Sequence, residues 1–331
     1  VPIVRPVPAT TRRDRYATDV TDVTDVTDVT DVDALARLLE TRRTLVLSGA
    51  GISTDSGIPD YRGPTSRSRS PTTYQTFVRD AAARRRYWAR SSIGWPLTAH
   101  ARPNDGHRAL ARLERRGTTT GVLTQNVDGL HQRGGSRRVL ELHGSLSSVI
   151  CLACSARSSR STLQERLQAA NPDFGALADD VAPDGDVEID DAWTRDYRVP
   201  DCLACDGVLK PHVVFFGENV PRGRLERAWS MLDRAEALLV VGSSLTVFSG
   251  YRFVRRAREQ GKPIAIVNDG ATRGDPDATV RSHARLGAIV PELAQRLCAP
   301  DARPATDRSG AARPDARAPK RAVVSSGQGE A

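Results

Sequence analysis

The sequence predicts an α/β chain: a doubly wound parallel sheet with a smaller domain inserted into it. Three observations predict this. Short apolar runs, of the length and branching of buried strands, alternate with helical segments from Thr44 to Val267. Two of these runs end at once in small or polar residues, Glu236–Val241 in Gly242-Ser-Ser244 and Pro263–Val267 in Asn268-Asp-Gly270. Ligands of parallel sheets gather at such carboxyl ends. Midway, residues 147–205 break the alternation with two Cys-Leu-Ala-Cys pairs and a polar, acidic stretch.

In chain order, residues 18–33 repeat Thr-Asp-Val. A period of three accumulates neither a helical nor a strand face, so 1–33 is expected to be a disordered leader. Asp33 is placed to cap a short helix with Leu35, Leu38 and Leu39 on one face. Thr44–Ser48 is a strand running into Gly49-Ala-Gly51. Residues 64–116 read as helical, 64–103 as an insertion and Asn104-Asp-Gly-His107 as the start of a further helix. Strands follow near Gly121–Thr124, Val139–Leu142 and Ser147–Ile150. Beyond the cysteines come a strand at Val213–Phe216, helices at Arg222–Arg234 and Tyr251–Gln260, and the two strands already named. The layout is a Rossmann-like domain of 34–146 and 206–297, a small domain at 147–205, and a tail at 298–331 expected to be disordered.

Composition narrows the function. The chain has 331 residues, 27% charged and 39% apolar, as in ordinary globular proteins. No apolar run nears the roughly 20 residues of a membrane span. The first twenty residues lack the apolar core of a secretory signal, so a cytoplasmic location is expected. The net charge of +8 is local: Arg62–Arg90 holds eight arginines against Asp80 alone. With only three lysines in the chain, this argues against a nucleic-acid partner. A monomer is expected.

Cys151, Cys154, Cys202 and Cys205 form two pairs with two residues inside each and 47 between them. Four thiolates so arranged satisfy tetrahedral zinc and leave it no open position, which makes the metal structural. Cys298 is left over as an inert thiol.

Gly49 and Gly51 let the backbone turn sharply after a strand, and free amides there suit a phosphate. A strict dinucleotide fingerprint needs glycine at 54, where Thr54 stands, so an ordinary strand-turn-helix stays open. Gly57, Pro59 and Gly63 then break the helix around Asp60, Tyr61 and Arg62, as in a polar lid. Gln125, Asn126 and Asp128 follow a strand; they suit ribose hydroxyls and a carboxamide, or a plain capped loop. His143 ends another strand beside Gly144, with His131 a nearby competitor.

Gly-Ala-Gly-Ile-Ser followed by Gly-Ile-Pro-Asp-Tyr-Arg resembles the cofactor loop of sirtuins, the NAD-consuming protein lysine deacylases. The resemblance runs from about residue 34 to 297 with the motifs in the family's order, and the cysteine spacing resembles the bacterial and mitochondrial-type branch. It implies NAD as co-substrate, held by Gly49, Ala50, Gly51, Ser53 and Thr54 under the lid of Asp60, Tyr61 and Arg62. Gln125, Asn126, Val127 and Asp128 match the nicotinamide-ribose motif, with Asn126 and Asp128 positioning the reacting groups. Gly242, Ser243, Ser244, Asn268, Asp269 and Gly270 match the adenosine side. His143 matches the catalytic base, with a pKa suited to neutral pH, and His131 the family's other histidine. Val213, Val214 and Phe215 match the wall of the acyl-lysine tunnel, beside His212 where this branch usually has Asp.

The expected activity is NAD-dependent deacylation of acyl-lysine proteins, with release of nicotinamide and transfer of the acyl group to ADP-ribose. The rivals are a mono-ADP-ribosyltransferase using the same NAD site, which would label protein instead, and a non-catalytic NAD and zinc interaction module. Tyr87 and Arg90 lie one helical turn apart, and in sirtuins that prefer acidic acyl groups such a pair grips the carboxylate. Arg90 equally suits a solvated basic face beside Arg84, Arg85 and Arg86.

Overall fold

The computed structural model describes residues 29–61, 71–174, 187 and 189–299. Most of the expected leader, Arg62 and nearly all of the tail lie outside the described residues. The strands are β1 (Thr44–Ser48), β2 (Thr119–Thr124), β3 (Val139–Glu141), β4 (Gly144–Cys151), β5 (Arg157–Ser159), β6 (Leu209–Val213), β7 (Ala237–Val241), β8 (Ile264–Val267) and β9 (Val280–Ser282). The α-helices are α1 (Val29–Leu39), α2 (Tyr74–Arg79), α3 (Ala81–His100), α4 (Asp105–Arg116), α5 (Leu130–Arg133), α6 (Arg160–Ala170), α7 (Arg222–Asp233), α8 (Phe248–Glu259) and α9 (Leu286–Cys298).

Six strands form a parallel sheet in the order β3-β2-β1-β7-β8-β9. Strands covered on both faces must be apolar at successive positions, and β1, β7 and β8 are buried throughout. Their side chains divide by the two-residue pleat. Val46, Leu239 and Val241 join Leu110 and Leu113 of α4 and Ile289 and Leu293 of α9. Leu45, Leu47, Leu238 and Val240 join Leu232 of α7 and Phe253 and Val254 of α8. The strand order reverses between β1 and β7, and a crevice opens above such a switch point.

A second, three-stranded sheet has the order β5-β4-β6 and is antiparallel. It takes in Gly144 and Leu209–Val213, so it reaches past 147–205 at both ends. The helical insertion shares its core: Phe77 of α2 and Trp88 of α3 pack with Val149, Leu163, Leu167 and Leu209. Trp88 Nε1 donates to Leu209 O at 3.2 Å. Among the described residues no carboxylate pairs with buried Arg160; its guanidinium lies 5.3 Å from the Trp88 ring and 4.8 Å from the Trp95 ring, and donates to Gln164 Oε1 and Ser91 O.

Two expectations change. Helix α1 starts at Val29, inside the repeat, because Val32 extends the apolar face of Leu35 and Leu39 by one turn. Asp33 therefore sits within the helix, paired with Arg296 of α9, and is not its cap. The strand expected at Val213–Phe216 lies instead at Leu209–Val213. Its ladder partner β4 begins at Gly144, opposite Val213, so pairing within this sheet ends there.

Candidate active site

A cavity of ≈ 570 Å3 opens between the carboxyl ends of the main sheet and the inner edge of the small one. Its floor is two glycine turns pressed together. A Cβ on Gly49 would stand 2.7 Å from Gly242 O, and one on Gly242 only 2.5 Å from Ile52 N, with Gly242 at φ +63°. The amides of Gly49 and Gly51 donate to Val241 O and Gly242 O, at 3.0 and 2.9 Å. The sequence suggested that amides here are free for a phosphate; these two are instead committed to the neighbouring loop. These glycines serve the close approach of the loops after β1 and β7.

Above this floor runs a polar chain. Asn126 Nδ2 donates to Gly49 O at 3.0 Å and to Ser53 Oγ at 3.1 Å. Ser53 Oγ in turn donates to Asp128 Oδ2 at 2.8 Å, and Leu130 N donates to Asp128 Oδ1 at 2.8 Å. Both amide hydrogens of Asn126 are spent, so it can offer a ligand only the acceptor Oδ1. Burial pushes the Asp128 carboxyl upward, against the pull of these donors.

His143 sits where the chain leaves the main sheet for the small one. Gly144 follows at φ +84°, and a Cβ there would collide with His212 O. His143 Nδ1 lies 2.9 Å from Gln125 O. A carbonyl only accepts, so Nδ1 carries the hydrogen and Nε2 is the acceptor. Nε2 lies 2.7 Å from Ser249 Oγ. Burial lowers the ring's pKa to about 4, helped by the charges of Arg224 and Arg252 and opposed by the Gln125 bond. Burial thus leaves the ring a neutral acceptor at pH 7. The competitor, His131, is buried away from the cavity with Nε2 2.7 Å from Ser48 Oγ.

The facing wall is Val213, Val214 and Phe215. Val214 N donates to His143 O at 2.7 Å, which ties the wall to the histidine. Buried Lys210 anchors it from behind. Its ammonium lies 3.0 Å from Glu218 Oε2 and 4.8 Å from the Phe215 ring, and Glu218 Oε2 accepts Phe215 N at 2.9 Å. Tyr87 stacks edge-on to Phe215 with centroids 5.2 Å apart. Arg90 stands one layer out, with Nη2 3.3 Å from Thr72 Oγ1, and Thr72 lines the cavity.

The four cysteine sulfurs lie within 4.8 Å of one another. Cys151 and Cys205 approach to 3.6 Å, Cys154 and Cys202 to 3.8 Å. Zinc–sulfur bonds of about 2.3 Å in a tetrahedron set sulfurs about 3.8 Å apart, so the cluster fits zinc. It uses all four positions and lies off the cavity, which suits a structural metal.

A sequence model of the Sir2 family matches residues 49–249. The chain is 55% identical over 265 residues to NAD-dependent protein deacetylase 1 of Streptomyces coelicolor, covering 80% of this chain and 89% of the relative.

The chain belongs to the Sir2 family.

It is also 47% identical over 261 residues to the NAD-dependent protein deacylase Sirt4 of Drosophila melanogaster, covering 77% of this chain and 84% of that one. A solved structure described as Sir2-p53 peptide-NAD+ superposes with a TM-score of 0.64 at 32% identity, covering 80% of this chain and 95% of that one.

In this Sir2-family chain the cavity gathers Ala50, Ser53, Asp60, Tyr61, Val127 and Ser244 with the groups above. Asn268, Asp269 and Gly270 line it from the end of β8. Thr54 differs from expectation: it faces solvent, and its Oγ1 donates to Gly51 O at 2.9 Å. His212 is turned across the small sheet, with Nδ1 3.2 Å from Ser148 Oγ. Sequence reasoning missed Ser249, Arg252, Thr72 and Glu218, which also line the cavity. Glu218 stood beside a recognised motif, but nothing local marked Ser249.

Proposed function

We propose that the chain is an NAD-dependent protein-lysine deacylase whose base is His143. One observation carries this reading: His143 presents a neutral, accepting Nε2 where the crevice of the parallel sheet meets the Val213–Phe215 wall. The cavity suits NAD. The Ser53–Asn126–Asp128 chain supplies fixed polar groups for the nicotinamide ribose, and Ser243, Ser244 and Asn268 supply them for the adenosine end. NAD, when bound, supplies a ribose carbon that accepts the acyl oxygen as nicotinamide leaves.

The chain's own residues then have three tasks. Asn126 and Asp128 orient the reacting end. Nε2 of His143 takes a proton from a sugar hydroxyl, for which its neutral form is ready. Tyr61, with its ring 6.3 Å from Phe216 across the cavity mouth, helps exclude water. The substrate is an acyl-lysine segment of a protein, its backbone laid along Val213–Phe215. A cytoplasmic monomer is the form we expect. No helix among the described residues is long and apolar enough to cross a membrane.

The test is a panel of acyl-lysine peptides incubated with NAD and read by mass spectrometry. Deacylated peptide with equimolar nicotinamide and O-acyl-ADP-ribose is expected. ADP-ribose attached to protein, with no peptide deacylated, would overturn the reading in favour of an ADP-ribosyltransferase.

A further inference from the structure

We propose that Ser249 is a positioning residue: it holds the His143 ring through the same lone pair that a sugar hydroxyl of NAD must use. The inference rests on His143 being the base. Nδ1 is committed to Gln125 O, so the ring has a single acceptor site, the in-plane lone pair of Nε2. Ser249 Oγ, at 2.7 Å, fills that site, and the hydroxyl must be the donor because Nε2 carries no hydrogen. Among the described residues, Gln125 and Ser249 are the ring's hydrogen-bond partners. Arg224 and Arg252 act on it through charge alone.

The backbone under Ser249 is fixed. Ser249 is in the first turn of α8, whose Phe253 and Val254 are buried in the main core. The next residue, Gly250, lies against the Gln125 side chain so closely that a Cβ would stand 2.5 Å from Gln125 Nε2. Gln125 Oε1 in turn accepts Ser243 Oγ at 2.7 Å. The serine can therefore yield Nε2 by rotating its own side chain, and Ser249 already lines the cavity. Two donors cannot share one lone pair at full strength. A sugar hydroxyl that reaches Nε2 must displace Ser249, and NAD binding is weakened by the bond it breaks. In exchange, the ring is held in the neutral tautomer and aimed at the cavity before NAD arrives.

Two measurements on the full, zinc-loaded chain test this. The first is the pKa of the His143 imidazole by NMR, assigned with His143→Gln and needing neither NAD nor substrate. A donor on Nε2 favours the neutral ring, so Ser249→Ala should raise the pKa by about one unit. The second is the dissociation constant for NAD by calorimetry. Ser249→Ala should bind NAD about fivefold more tightly, the scale of one ordinary hydrogen bond. Ser249→Thr, which keeps the hydroxyl, should stay near the parent on both.

An unchanged pKa in Ser249→Ala would overturn the proposal. So would weaker NAD binding, which would make the serine a contact of NAD rather than its competitor. A kcat falling more than about tenfold in Ser249→Ala would overturn it in favour of a proton relay through Oγ. Absence of turnover in the parent chain, with both shifts present, would sink the deacylase reading and leave the positioning role standing.

Discussion

Strand β1 of the main sheet is buried at every residue, and strand β5 of the small sheet is exposed at every residue. The main sheet is sandwiched between two helical layers with separate apolar clusters, whereas the small one has three strands, one cluster and four cysteines. Yet the small sheet carries the Val213–Phe215 wall, and the histidine between the sheets is tied to both, through Gln125 O and Val214 N. The proposed NAD side is therefore set by hydrophobic packing, and the acyl side depends on a metal cluster. Damage to the two halves should look different.

The largest effect should come from the metal cluster. Cys151→Ala should lose zinc and lower the melting temperature by about 10 °C or more, since metal binding energy is folding energy in such a module. Nicotinamide-releasing turnover should disappear with it as the Val213–Phe215 wall loosens. Metal analysis of the parent protein that finds no zinc would show that the small sheet does not depend on a metal.

A hundredfold to ten-thousandfold loss, roughly the reach of one general base, is expected for His143→Ala, with melting temperature and NAD affinity nearly kept. A loss confined to His131→Ala, with His143→Ala fully active, would mean the wrong histidine has been chosen.

Acid should act on the core behind the NAD side. Burial lowers the pKa of His107 to about 4 and of His131 to about 3, from an ordinary 6.5. The unfolded chain then binds more protons below pH 6.5, so stability is full above that value and falls as pH drops towards 4. At pH 5 the loss is about 2 kcal/mol for each ring. Urea midpoints measured from pH 7 to pH 5 should fall accordingly, and His143, lowered by burial to about 4, adds a loss of the same size. A flat midpoint over that range would show that these rings are not buried neutral.

The smallest effect concerns the acyl group. We propose that Arg90, behind Thr72 and one turn from Tyr87, favours acidic acyl chains. Succinyl- or glutaryl-lysine should then turn over faster than acetyl-lysine, and Arg90→Met should erase that preference by about tenfold. Equal or better rates on acetyl-lysine in the parent chain would remove the arginine from the acyl side.

The sequence alone determined whatever is local. Thr44–Ser48 and Glu236–Val241 announced buried strands because a strand covered on both faces must be apolar along its length. The cysteine pairs announced their cluster because a two-residue spacing is itself the turn that brings two sulfurs together. Asn104 announced α4 because a cap bonds three residues ahead, and its Oδ1 accepts His107 N at 3.2 Å. Tertiary structure alone decided what meets across the switch point. Gly242 meets Gly49 because β1 and β7 are neighbours in the sheet, and Ser249 reaches His143 over 106 residues although the strands before them, β7 and β3, are not. Lys210 finds Glu218 only after the wall between them has turned back on itself, and α1 extends to Val29 only because α9 offers a surface for Val32. Periodicity and spacing act over a few residues, whereas these contacts depend on which strands lie adjacent, and that choice is made by the packing of the whole sheet.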